Sequence, residues 1–213
     1  MPPAIAIRNS LLFAGISTVI ALFLGTLTAY LIGSRSLPKW IGGIFDPIFM
    51  LPLATSAVTL GFGFIISLDE PPLDLRSSWV LVPIAHTLVA MPFVVRSVLP
   101  ALRNIPISVQ EAAQVLGASP WQVWRRIDLP LLSRGLVVGA TFAFAMSMGE
   151  FGASVFVARP DTPTMPVVIF RLLGQPGVEN YGQALALSTL LLLVCLTSFV
   201  AIERFRDVGV GEF

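Results

Sequence analysis

Five long apolar stretches, separated by clusters of charge, proline and glycine, set the rhythm of this chain. The first runs from Leu11 to Ile32. At about 1.5 Å per residue it covers ~33 Å, enough for the ~30 Å hydrocarbon core of a bilayer. The others fall at about 44–68, 79–99, 135–157 and 184–205, the last built on the apolar run from Ala184 to Phe199. The first stretch is too long for the core of a signal peptide and has no persuasive cleavage site, so it is expected to be retained. Pro47, Pro52, Gly61 and Gly63 fall in the second stretch, Pro83 and Pro92 in the third. They predict kinked or broken backbone, tolerated at membrane depth where neighbouring helices or a polar cavity satisfy the freed groups. Gly135, Gly139, Ala143 and Ser147 form a small-residue stripe along the fourth. Such a stripe fits close bundle packing or a transport pathway, and the sequence leaves both open. No repeat of 20–50 residues is visible, which leaves solenoid folds without support.

Composition agrees with the pattern. Hydrophobic residues make up 55% of the chain and charged residues 12%, with a mean hydropathy of +0.86. Soluble domains carry about 25% charged residues. The cations are unevenly placed. Arg35, Lys39, Arg96, Arg103, Arg125, Arg126, Arg134, Arg204 and Arg206 fall on one side, and Arg8, Arg76, Arg159 and Arg171 on the other. The richer side is expected to be cytoplasmic. The amino terminus is then outside and the carboxyl terminus inside, with the segment from Arg96 to Arg134 in the cytoplasm. The expected fold is therefore all-α and integral to the membrane: five transmembrane helices in a single domain, 1–213, in contact with lipid. A net charge of +1 without a basic run gives no basis for a nucleic-acid partner. The lone Cys195 excludes an internal disulfide and a cysteine-rich metal site.

The cytoplasmic segment from Ile107 to Pro130 is amphipathic and predicts two short helices. Ser108 and Glu111 have capping-box spacing for the first, and Gly117 suits the left-handed position that ends it. Ser119 is placed to cap the second, Pro120 fills its first turn, and Gln122 repeats the box. Trp121 and Trp124 share a face beside Arg125 and Arg126, as interfacial anchors would. Leu129 and Pro130 are expected to close this helix–Gly–helix knuckle just before the fourth span.

Glu111-Ala112-Ala113, three residues, Gly117, nine residues, Ile127, one residue and Leu129-Pro130 resemble the EAA loop of binding-protein-dependent ABC importer permeases of the MetI-like fold. The resemblance implies that Glu111, Ala112, Ala113, Gly117, Ala118, Leu129 and Pro130 seat on a separate ATP-binding subunit in a bacterial inner membrane. ATP is then bound by that subunit and no cofactor by this chain. The resemblance further implies a second permease half and an extracytoplasmic solute-binding protein as partners. Similarity continues through Pro52-Leu53-Ala54, Gly61-Phe62-Gly63, Ala85-His86-Thr87 and Met91-Pro92-Phe93-Val94-Val95-Arg96. Gly149-Glu150-Phe151-Gly152-Ala153 is similar to the iron(III), thiamine, molybdate and sulfate branch, and Thr162–Val167 with Tyr181–Ala186 to the iron(III)/thiamine group. Iron(III) or thiamine is the expected solute, with molybdate or sulfate the alternative. Permeases of that group are commonly two fused halves, so a chain of one half's length is either a fragment or a short homodimeric form.

Charge within the spans narrows the chemistry. A carboxylate near mid-bilayer costs ~2.5–3.5 kcal/mol, so Glu150 must face the bundle or a wet cavity. It is expected toward the outer half of the fourth span, paired with Thr55 or Ser56 in a pathway that includes Ser147, or else fixing helix packing. His86, the single histidine, is expected to be packed or hydrogen-bonded, with a relay role the alternative. Asp46 is expected at the inner interface, near the knuckle. Asp69, Glu70, Asp74 and Asp161 fall in external loops, where an importer meets its binding protein. Lys39 is the one lysine, and its surroundings exclude a GxxxxGK[ST] phosphate loop. With no GxSxG, no HExxH and no paired intramembrane carboxylates, an enzyme is disfavoured. A secondary transporter would share the kinked spans without needing the knuckle.

Overall fold

The computed structural model describes residues 3–33, 39–71, 74–76 and 78–207. Arg35, and the side chains of Lys39 and Arg206, lie outside the described residues. The elements in order are α1 (Pro3–Gly33), α2 (Lys39–Ala54), α3 (Ala57–Ser67), α4 (Leu81–Arg103), α5 (Ile107–Val115) and α6 (Pro120–Val123). A single π turn (Trp124–Asp128) follows, then α7 (Leu129–Gly149), α8 (Ser154–Val157), α9 (Met165–Leu173) and α10 (Val178–Asp207). Among the described residues, four helical stretches are long and apolar enough to cross a membrane, and five if the bent pair α2–α3 counts as one.

The centre of the bundle is α4, buried along most of its length by α1 on one side and α7 on the other. Small residues permit both contacts. On α1, Ser10, Ala14, Ser17, Ala21, Gly25 and Thr28 recur every three or four residues and are all buried. A β-carbon on Gly25 would come within 2.8 Å of the Val94 side chain. On α7, Gly135, Gly139, Ala143 and Ser147 are buried, and a β-carbon on Gly135 would lie 2.9 Å from the Ser97 carbonyl oxygen. The stripe expected in the fourth span is therefore a packing surface against α4. Lipid tails are as apolar as leucine, so close backbone approach is what draws such helices together.

The boundaries differ from the expected ones in instructive ways. The first and last spans begin earlier, at Pro3 and Val178, because polar but helix-compatible residues continue the helix beyond the apolar run. The second is bent by 99° between α2 and α3, where Ser56 adopts extended backbone (φ −64°, ψ 131°). The fourth span, expected over 135–157, instead runs unbroken from Pro120 to Gly149 and stops there. Glu150 turns extended (ψ 115°), and α8 restarts as a single turn. Asp46 does not reach the knuckle: its carboxylate lies 3.5 Å from Arg96 on α4, a part-exposed pair of small energetic weight.

Candidate functional site

Two interrupted stretches carry the polar chemistry, one at each end of α7. At the knuckle end, α5 stops in a complete left-handed cap. Gly117 has φ +84°, its amide donates to the Gln114 carbonyl (2.9 Å), and the Ala118 amide donates to the Ala113 carbonyl (3.0 Å). Only glycine adopts that backbone without strain. The chain then restarts at Ser119. Its hydroxyl accepts from the Gln122 amide (3.4 Å), while Gln122 Oε1 accepts from the Ser119 amide (2.8 Å), with Pro120 in the first turn. The capping box expected of Ser108 and Glu111 is absent. The helix begins at Ile107, after extended Pro106, so the Ser108 hydroxyl already sits inside the first turn. Glu111 is exposed and has no side-chain partner among the described residues.

The second knuckle helix does not end at Leu129-Pro130, as the sequence suggested, but flows into α7. A proline inside a helix removes one amide and crowds the carbonyl four residues back. Here the π turn widens the backbone just before Pro130, and the Leu129 amide reaches back to Trp124. One link without a sequence signature braces the two arms: Gln110 Nε2 donates to Oδ1 of the buried Asp128 at 2.7 Å. Trp121 and Trp124 stack with centroids 4.8 Å apart. A cleft of about 330 Å³, lined in part by Tyr30, Arg103 and Gln110, lies at the root of the knuckle. No residue of α5 is buried. Glu111 and Ala112 are exposed, Ala113 and Ala118 half-buried, and Val115 and Leu116 at the tip are each 88% exposed. Pro130 is exposed and Leu129 half-buried.

At the far end of α7, Glu150 does not pair with Thr55 or Ser56. Its Oε1 accepts from the Ala153 amide and its Oε2 from the Ser154 amide, each at 2.9 Å, which caps α8. His86 Nε2 lies 3.6 Å from Oε2. The imidazole also makes two short contacts, Nδ1 with Ser147 Oγ and Nε2 with Ser154 Oγ, both 2.7 Å. A neutral ring satisfies both, donating from one nitrogen and accepting at the other. His86, Ser147, Glu150 and Ser154 are all buried. Thr55 instead donates to the Leu51 carbonyl of its own helix (2.9 Å) and is exposed, and Ser56 is half-buried. Of the four pathway candidates, Ser147 and Glu150 thus join one cluster around His86, while Thr55 and Ser56 stand at the α2–α3 bend.

Known proteins share both this sequence pattern and this fold. Residues 10–206 match the family described as binding-protein-dependent transport system inner membrane component. The molybdenum transport system permease ModB of Haemophilus influenzae is 31% identical over 97% of this chain and 97% of its own length. The sulfate transport system permease CysT of Escherichia coli is 29% identical over 96% of this chain and 79% of its own. A Salmonella paratyphi A permease named for 2-aminoethylphosphonate transport is 31% identical over 78% of this chain, and the match spans 60% of that protein's length. Among solved structures, the MetNI methionine ABC transporter in inward-facing conformations shares the fold. Its TM-score is 0.72 at 19% identity, over 95% of this chain and 94% of that one. With an all-helical membrane fold and a match over nearly its whole length, the chain belongs to the family of binding-protein-dependent transport system inner membrane components.

Proposed function

We propose that this chain is the transmembrane permease subunit of an ATP-driven importer, coupled through the α5–α6 knuckle to a separate ATPase subunit. The observation that carries the reading is the state of α5: none of its residues is buried, yet it ends in Val115 and Leu116, each 88% exposed. An apolar tip on a helix held only at its base is a surface prepared for a partner. Glu111, Ala112, Ala113, Gly117 and Ala118 seat in the ATPase, while Leu129 and Pro130 carry the movement into α7. The chain acts as one transmembrane unit beside a second permease half, with its amino terminus outside. An extracytoplasmic binding protein delivers solute to the outer loops. Thr55 and Ser56 are the pathway positions open to a passing solute, and the buried Ser147 and Glu150 act by supporting the backbone around them.

For the solute we propose an oxyanion of the molybdate, sulfate or phosphonate kind, since three relatives are named for molybdenum, sulfate and 2-aminoethylphosphonate transport. The iron(III) or thiamine reading rests on Thr162–Val167 and Tyr181–Ala186 and has none of these relatives behind it. Uptake assays with molybdate, sulfate, 2-aminoethylphosphonate, iron(III) and thiamine in turn decide between them. Coupling is tested by Gly117→Val, which forces a β-branched residue into left-handed backbone. ATPase co-purification and ATP-driven uptake should both fall about ten-fold, the equivalent of the ~1–2 kcal/mol such strain costs, while the protein stays in the membrane. Unchanged coupling in that variant, or uptake without any ATPase, contradicts the assignment.

A further inference from the structure

The helix that leaves the knuckle is continuous from Pro120 to Gly149, about 45 Å long, and beyond the π turn it is regular α-helix from Leu129 to Gly149. Any turn imposed at Leu129 therefore reaches Gly149 with little loss. There the helix ends, and Glu150 runs extended into a one-turn α8, far too short to hold its own shape. What joins the two sides of this break is a set of buried polar bonds. The Glu150 carboxylate grips the first amides of α8, those of Ala153 and Ser154. From α4, His86 holds a hydroxyl on each side of the gap: Ser147 in the last turn of α7 and Ser154 at the start of α8. Beyond it, α8 and its approach lock onto α3 by reciprocal glycine contacts. A β-carbon on Gly61 would lie 2.7 Å from Ala153 Cα, and one on Gly152 would lie 2.9 Å from Ala57 Cβ.

We propose that Glu150 and His86 are positioning residues that carry the movement of α7 across the outer break to α8 and α3. This rests on the importer reading and deepens it, since it assigns the buried carboxylate to the output end of the lever rather than to solute binding. A packing role alone would lower stability without separating the two ends of α7. The proposed role leaves the inner end responsive and silences the outer one.

The test uses the permease assembled with its ATPase subunits in nanodiscs, in a Cys195→Ser background. Labelling rates by a maleimide are read at Leu116→Cys on the knuckle and at Phe156→Cys on α8, with and without ATP. In the reference protein ATP should change both rates. In Glu150→Gln, which sets an NH2 donor against one of the two amides, the ATP effect should persist at Leu116→Cys and shrink by about five-fold or more at Phe156→Cys. If Glu150→Gln does not assemble, Ser147→Ala and Ser154→Ala each remove one of the histidine's bonds and should give a weaker form of the same split. An equal response at Phe156→Cys in every assembled variant overturns the proposal. Absence of any ATP response at either position in the reference protein counts against the importer reading instead.

Discussion

The two ends of α7 show two ways of interrupting a helix. At the knuckle elbow the bonds that end one helix and begin the next are local: Gly117 ends one arm, Ser119, Pro120 and Gln122 begin the next, and the Gln110–Asp128 brace reaches no further than 18 residues. At the Glu150 break the local bonds from its carboxylate to the Ala153 and Ser154 amides are joined by bonds from afar, since His86 is 61 residues from Ser147 and 68 from Ser154. The elbow is exposed to water, which satisfies stray backbone groups and lets a short local code suffice. The break is buried, where an unpaired amide costs about 1–3 kcal/mol, so a carboxylate and an imidazole are brought in to close it. An element set by local bonds can swing as a unit. One set by distant bonds is tied to the core it touches.

Substitutions at each end sharpen this contrast. The largest effect is expected from Gly61→Val, which drives a side chain into the Ala153 backbone beside the Glu150 break. Overpacking against backbone costs about 3 kcal/mol or more and should lower the thermal midpoint in detergent clearly. Gly63, where an added β-carbon would meet nothing within 4 Å, should accept alanine with no change, so equal losses at the two glycines would break the packing account. Next comes Gln110→Leu, which strips the buried Asp128 of a hydrogen bond and should cost about 1.5–3 kcal/mol. Its loss should appear as faster proteolysis at the knuckle with the spans intact. The smallest is Ser119→Ala, expected to cost ~1 kcal/mol of local helix stability, read as faster amide exchange at Trp121, Gln122 and Val123 alone.

The same contrast explains what the sequence could and could not reveal. Apolar length announces the spans, and the turn chemistry of Gly117 and Ser119 announces the elbow, because each depends on neighbours in the chain. The Ser108–Glu111 spacing misleads for a local reason: with Pro106 at the cap, the helix starts two residues too early for that box to form. Glu150 is visible as an anomalous charge, but its partners are not, since two backbone amides leave no mark in a sequence. The small-residue run from Ser10 to Thr28 has a legible three- and four-residue spacing, but the surrounding leucines dominate the pattern and hide it. The Gln110–Asp128 brace has no signal beyond two polar residues on an amphipathic segment.

The claim on which the functional account turns is that the knuckle lies in the cytoplasm and is covered by an ATPase. Leu116→Cys, at a position 88% exposed, reports on both when labelled with a membrane-impermeant maleimide in a Cys195→Ser background. Inverted vesicles containing the permease alone should label, and adding the ATPase subunit should protect the thiol. Labelling from the outside of right-side-out vesicles, or a rate in inverted vesicles that the ATPase leaves untouched, would contradict the account.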